Sequence, residues 1–432
     1  MRDLRRDHEM RTRSKTMTTN RCTDAKARLS KFLFVRLLVA IGLPLATLAC
    51  ATPQRLDAVP SAQVSHARPE VENVRFIAGE DPEPFAQEAL QSMRREQAYL
   101  AKTGHTGPLP PATFLAISGG GGNGAFGAGL LTGWTNANRP VFKAVTGIST
   151  GALIAPFAFL GPKYDHVLRE TYTTTTDEGI FKKRGIIKAI FGDAMADSEP
   201  LQQMVARFVT PEFLTEIAAE YDKGRLLLVG TTDLDAQRGV IWNMTAIAAS
   251  RDPDAITLFR KILLASASIP GAFPPVMIDV TVDGKRYQEM HVDGGTTAQV
   301  FIYPPQFHLK EQATAQNSER RRILYIIRNA RLDSEWANVE RRTLSIAAKA
   351  ISSLIHSQGN GDLTRIYLTA RRDGLDYNLA YIPSDFTLVS KSQFDPVYMG
   401  QLFSRGHSMA AGGYPWQKYP PGYGPDPNAK TP

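Results

Sequence analysis

Two runs of the chain decide how it is read: Phe114-Leu-Ala-Ile-Ser-Gly-Gly-Gly-Gly-Asn-Gly-Ala-Phe-Gly127 and Val141-Phe-Lys-Ala-Val-Thr-Gly-Ile-Ser-Thr-Gly151. Each is a short apolar stretch that stops at a glycine-rich turn and passes into a helix-like stretch. Two strand–turn–helix units in succession predict a parallel sheet with both turns at one edge. The first turn offers bare backbone N–H groups from Gly119 to Gly124, and the second raises one nucleophile-capable side chain, Ser149, between Gly147 and Gly151. An anion cradle beside a raised serine is the minimum equipment for acyl transfer.

The first turn must be weighed against a nucleotide reading, because Gly119-x-Gly121-x-x-Gly124 also fits a dinucleotide fingerprint. That motif needs an acidic residue about 20 positions on to hold the ribose. No Asp or Glu occurs between Glu96 and Asp165, so no nucleotide cofactor is expected. In the second turn, the glycines flanking Ser149 let a strand bend sharply into a helix, whose N-terminus favours negative charge. By itself the same pentapeptide is also a plain glycine turn.

A serine nucleophile needs a base. An α/β-hydrolase would take a histidine after its acid, and His308, His356 and His407 follow Asp293, none in a suggestive turn. His291 stands two residues before Asp293. The more suggestive acid is Asp293 itself, at the end of an apolar-flanked strand and just before Gly294-Gly295, where strand-end turns line clefts. Asp-Gly-Gly is also a common turn with no chemistry.

The formal charge of +8 is unevenly placed, since residues 1–49 hold eleven Lys and Arg against four acids. The remainder is nearly neutral, which leaves a nucleic-acid partner without a basic face. Leu37 to Ala49 is an apolar run too short to span a bilayer and suited to a signal peptide, with Met1 or Met17 as its start. It ends at Thr-Leu-Ala-Cys50, which resembles the lipobox of bacterial lipoproteins; ordinary cleavage nearby is the alternative. Cys22 would leave with the leader, so no disulfide is expected, and no Cys/His cluster has metal-ligand spacing. Residues 51 to about 80 read as a tether, and a helix follows Asp81-Pro82. A helix near residues 339–357 carries Leu344, Ala347, Ile351 and Leu354 on one stripe. From Gly412 the chain is rich in Pro and Gly.

Taken together, Gly119 to Gly124, Gly147-Ile-Ser149-Thr-Gly151 and Asp293-Gly294-Gly295 resemble, in order and spacing, the patatin-like phospholipases. Residues 265–275, Ala-Ser-Ala-Ser-Ile-Pro-Gly-Ala-Phe-Pro-Pro, add to the resemblance, which covers roughly residues 113–305. It implies a three-layer α/β/α fold with a mostly parallel central sheet and a Ser–Asp dyad without a catalytic histidine. Carried over, Ser149 is the nucleophile, Asp293 the base, and the loop Gly119, Gly120, Gly121, Gly122 and Gly124 the oxyanion hole, chiefly through the N–H groups of the middle three. No cofactor or metal is implied. Asn123 departs from the family, which often has Lys or Arg there.

The resulting expectation is a signal sequence (1–49), a tether and N-terminal helix (50–110), a patatin-like hydrolase domain (111–410) and a Pro/Gly-rich tail (411–432). The expected activity is hydrolysis of carboxylic esters in phospholipids or other acyl lipids, by an envelope protein anchored to membrane through lipidated Cys50, the outer membrane favoured, or secreted. Two alternatives stay open: a Ser–His–Asp esterase, and a non-catalytic envelope lipoprotein that keeps the fold as a scaffold.

Overall fold

Ten strands form one sheet: β1 (Arg68–Pro69), β2 (Arg75–Ile77), β3 (Ala112–Ile117), β4 (Ala144–Ile148), β5 (Leu226–Asp233), β6 (Arg238–Asn243), β7 (Val276–Val282), β8 (Lys285–Asp293), β9 (Arg322–Arg328) and β10 (Leu375–Tyr381). The computed structural model describes residues 54–80, 82–185 and 192–424. The expected signal sequence and Cys50 lie outside the described residues. The compact unit considered below comprises Arg55–Gly185 and the chain from Ala194 onward.

Strands β5, β4, β3, β9 and β10 run parallel, side by side in that order. Their apolar, nearly continuous sequences suit strands covered on both faces, and every residue of β5 is buried. Antiparallel strands complete the sheet: β8 and then β7 and β1 beyond one edge of β5, β6 and then β2 on its other edge. The fold is therefore mixed α/β with a parallel centre, as the two glycine turns predict.

The helices of seven or more residues are α1 (Glu83–Lys102), α2 (Gly124–Thr135), α3 (Thr150–Leu160), α4 (Asp165–Thr174), α5 (Glu199–Phe208), α6 (Pro211–Asp222), α7 (Ala255–Ser266), α8 (Leu309–Ala315), α9 (Thr343–Asp373) and α10 (Pro396–Ala411), with shorter ones at Asp177–Ile180 and Met244–Ala249. Alternation along the strands divides the core in two. Leu115, Val145, Leu227 and Ile327 face a cluster with Phe126, Phe159, Phe259 and Phe403 from α2, α3, α7 and α10. Ala116, Ala144, Leu228 and Ile326 face the other way, onto Phe85 of α1 and Leu363 and Ile366 of α9. This makes three layers.

Three stretches differ from the sequence expectation. Residues 54–80 are not a free tether, because Val59, Ala67, Val71 and Val74 are buried and two strands from this stretch join the sheet. The Pro/Gly-rich tail packs back as far as it is described: Trp416 lies against Trp134 and Tyr325, and Gln417 bridges to Leu379. Helix α9 is 31 residues long, and its apolar stripe faces water. Leu344, Ile351 and Leu354 are 82%, 56% and 69% exposed. Gly359 packs against the guanidinium of Arg328, the last residue of β9, so residues before it run past the sheet edge. Only the half from Gly359 to Asp373 covers the core.

Candidate active site

Strand register brings Ser149 and Asp293 together. Strand β4 pairs with β5 up to Ile148, opposite Gly230, and antiparallel β8 arrives on the same edge of β5 and stops at Asp293, opposite Thr231. The other edge of β5 is taken by β6, so the ends of β4 and β8 face each other. Ser149 is the residue after Ile148 and thus stands at the seam.

The turn there is tight. Ser149 has φ 56° and ψ −127°, a left-handed conformation that costs a side-chain-bearing residue about 1–3 kcal/mol. Its N–H donates to Ser266 Oγ at 3.0 Å, and that hydroxyl donates to the Gly230 carbonyl at 2.7 Å. The flanking glycines are needed for close approach: a Cβ on Gly147 would lie 2.4 Å from the Gly151 carbonyl oxygen, and one on Gly151 2.3 Å from that of Ile117. Helix α3 starts at Thr150 and directs its N-terminus at the seam.

The glycine loop enters from β3. The Gly119 N–H donates to the Gln299 carbonyl at 3.1 Å, and that of Gly124 bonds back to the carbonyls of Gly121 and Gly122. Among the described residues, the N–H groups of Gly120, Gly121 and Gly122 have no acceptor. These three are the middle glycines of the loop. Gly121, like Ser149, lines a cavity of about 500 Å³.

Residues outside the motifs hold this loop. The Asn329 N–H donates to Ser118 Oγ at 2.8 Å, its Nδ2 donates to the Ser118 carbonyl at 2.9 Å, and its Oδ1 accepts the Gly127 N–H at 3.0 Å. Gln299 Nε2 donates to the Gly295 carbonyl at 2.7 Å, and the Asp362 carboxylate accepts the Gln299 N–H at 2.6 Å. No local pattern marks Asn329, Gln299 or Asp362 in the sequence, whereas Ser266 stands in the 265–275 block.

Asp293 is buried, and its N–H donates to the Ser268 carbonyl at 2.9 Å. Oδ1 accepts the Gly295 N–H at 2.7 Å, while Oδ2 is buried and accepts no hydrogen bond of regular geometry. Burial pushes the carboxyl up to about 7, and the Ser149 hydroxyl and the Gly295 N–H pull against that shift. A carboxylate held near neutrality, with one oxygen unclaimed beside a serine, can take and return a proton.

The histidines are engaged elsewhere. His291 Nδ1 lies 2.9 Å from Thr231 Oγ1, and Nε2 lies 3.1 Å from Glu289 Oε2. His308 bonds Glu311, His356 bonds Asn360, and His407 stacks on Phe403. Asn123 Oδ1 accepts the Tyr398 hydroxyl at 2.7 Å, which ties the loop to α10. The cavity beside Ser149 is walled by Leu153, Met204, Phe273, Phe394 and Met399. Leu153, Thr171, Tyr172 and Met204 also line a second cavity of about 430 Å³ deeper between α3 and α5.

Residues 115–304 match the family model described as patatin-like phospholipase. No curated protein matches the chain. Among solved structures, the chain is similar to the crystal structure of VipD from Legionella pneumophila, at 9% identity and a TM-score of 0.34, with 70% of this chain and 67% of that chain covered.

Proposed function

Since residues 115–304 match the patatin-like phospholipase family model, we propose that the chain hydrolyses carboxylic esters of membrane acyl lipids through Ser149 and Asp293. Asp293 takes the Ser149 proton as Oγ attacks the ester carbonyl. The N–H groups of Gly120, Gly121 and Gly122 receive the charge that develops on the carbonyl oxygen. Collapse breaks the ester bond, Asp293 returns the proton to the departing alcohol, and the acyl group stays on Ser149. Water, deprotonated by Asp293, then attacks the acyl carbonyl; the bond to Ser149 Oγ breaks, Asp293 returns the proton to Oγ, and the fatty acid leaves. Each oxyanion donor of this kind typically contributes about 10²–10³ in rate.

The observation that carries this reading is the unclaimed, buried Oδ2 of Asp293 beside a serine in a strained left-handed turn. The engagement of His291 with Thr231 and Glu289 weighs against a Ser–His–Asp triad. The cavity beside Ser149 is apolar and suits an acyl chain.

The exposed half of α9 gives the domain a way to meet its substrate. It extends past the sheet edge where β4 ends and Ser149 follows, with an apolar stripe and Arg341, Arg342 and Lys349 nearby. We place the membrane surface there, as amphipathic helices bind interfaces through such a face. Lipidated Cys50 would add a second anchor, which metabolic labelling with palmitate in wild type and Cys50→Ala tests.

A fluorophosphonate probe tests the chemistry. Wild type should label, and Ser149→Ala and Asp293→Asn should not. His291→Gln, checked for folding by its melting curve, should still label. Loss of labelling in folded His291→Gln would favour the triad, and a folded wild type that never labels would favour the scaffold.

A further inference from the structure

A third cavity, of about 860 Å³, lies at the opposite edge of the sheet from Ser149. It is bounded by the first residues of four parallel strands, Ala112, Ala144, Leu226 and Arg322. Helices α1 and α8 close it, and Phe85, Ala89, Met93, Phe114 and Phe307 make its wall largely apolar.

Its polar groups are unevenly satisfied. Lys143 and Arg320, both lining the cavity, share the single carboxylate of Glu96 at 2.7 Å each. Arg322 also lines it and is only 8% exposed. Among the described residues its guanidinium makes no hydrogen bond or ion pair. Asp373 acts on it only at longer range, being held already by Arg372 and by the Tyr303 hydroxyl at 2.7 Å each. Burial and the neighbouring Arg320 charge both lower the pKa of Arg322, as expected of a cation short of compensation. Lys143, Arg320 and Arg322 thus line an apolar hollow in which Glu96 is the one carboxylate in direct contact with them, while Glu319 and Asp373 act on Arg322 from further off. A guanidinium that is little exposed and has no direct partner is free to take up an anion from the hollow.

We infer that this cavity is a binding site for a long-chain monocarboxylate, with the alkyl chain between α1 and the sheet and the carboxylate on Arg322. The planar fork of arginine matches a carboxylate, and the apolar wall matches the chain. The ligand class is that of the acid released by the reaction proposed above, yet the site shares no residue with the one around Ser149. Its existence does not depend on Ser149 being catalytic.

Binding of cis-parinarate, followed by its fluorescence and displaced by oleate, tests this on the full chain carrying Ser149→Ala, which removes turnover. Part of the binding should vanish in Ala89→Trp, which fills the hollow. The same part should weaken about tenfold or more in Arg322→Gln and persist in Arg322→Lys, as expected for a charged hydrogen bond. Oleyl alcohol, which lacks the anion, should displace the probe far less well than oleate. Binding unaffected by Ala89→Trp and Arg322→Gln, displacement by the alcohol as effective as by oleate, or no binding at all would overturn the proposal. Arg322→Lys and Arg322→Gln leave the hollow open, so the charge test stands even where Ala89→Trp disturbs folding.

Discussion

Asn329 grips Ser118 twice, its backbone N–H on the hydroxyl and its side-chain amide on the carbonyl, and so fixes the residue from which the glycine loop springs. Removing the side chain also strands the buried Gly127 N–H. Asn329→Ala should cost about 2–4 kcal/mol in chemical denaturation, the range expected when buried polar groups lose partners. With a p-nitrophenyl ester, kcat should fall about tenfold or more while KM changes little, because the loop acts on the transition state. A rise in KM with kcat unchanged would show that the loop contributes only to binding.

In the proposed mechanism the pH dependence follows from Asp293, which there must be ionised to accept the Ser149 proton. With its carboxyl pushed up to about 7, kcat/KM should rise with pH along an acid limb centred near neutrality. Stability should run the other way. The folded state holds its proton more tightly than the unfolded state, so stability falls as pH rises from about 4 towards 7. Asp293→Asn removes that penalty and should stabilise the protein above pH 7 by up to about 4 kcal/mol, with no gain at pH 4. Melting curves of both proteins at the two pH values decide it.

Two glycine-to-alanine changes should act in opposite directions. A Cβ on Gly151 would meet the Ile117 and Ser118 carbonyl oxygens at 2.3 and 2.7 Å, backbone atoms that cannot step aside. Gly151→Ala should therefore destabilise by about 3 kcal/mol and silence the enzyme. Gly400, inside α10, has open space around it, and Gly400→Ala should stabilise by about 0.5–1 kcal/mol. Urea titrations report both.

Chain-length preference should be governed by Met204, which lines both the cavity at Ser149 and the deeper one beyond it. Met204→Trp closes the passage and should lower kcat/KM for a palmitoyl ester relative to a butyryl ester about tenfold or more, given ~0.8 kcal/mol per buried methylene. Equal losses on both esters would mean the chain does not enter there.

If the apolar half of α9 meets the membrane as proposed, changes there should separate stability from membrane binding. Leu344→Glu with Leu354→Glu should leave the melting temperature nearly unchanged, since both side chains are in water. Sedimentation with anionic lipid vesicles should drop about tenfold or more. Turnover of a soluble short-chain ester should persist.

The centre of this fold is legible because its signals are local. Apolar runs ending in glycine mark β3 and β4, and the Asp283-Gly284 turn marks the β7–β8 hairpin. Ser149 and Asp293 are readable because each sits at the end of such a run. The supports are not, because Asn329, Gln299 and Asp362 act through contacts formed only after distant strands and helices pack. Likewise nothing local tells Gly119 from Gly120: which N–H stays unpaired depends on the Gln299 carbonyl, 180 residues away. For α9 the periodicity is real, but periodicity marks an apolar face without saying what covers it.

The hold of α10 on α2 has a consequence for how such a domain can be inherited. A Cβ on Gly129 would fall 2.0 Å from the Phe403 carbonyl oxygen, and one on Gly406 2.4 Å from that of Phe126, so the two helices touch backbone to backbone. The stretch matching the family model ends at residue 304, before Asn329 and before α10. A recombination event that carried only that stretch into another gene would transplant Ser149 and Asp293 without the clamp on their glycine loop. Reactive residues and clamp must therefore travel as one block, and change on either side of that backbone contact is admissible only when the other side tolerates it.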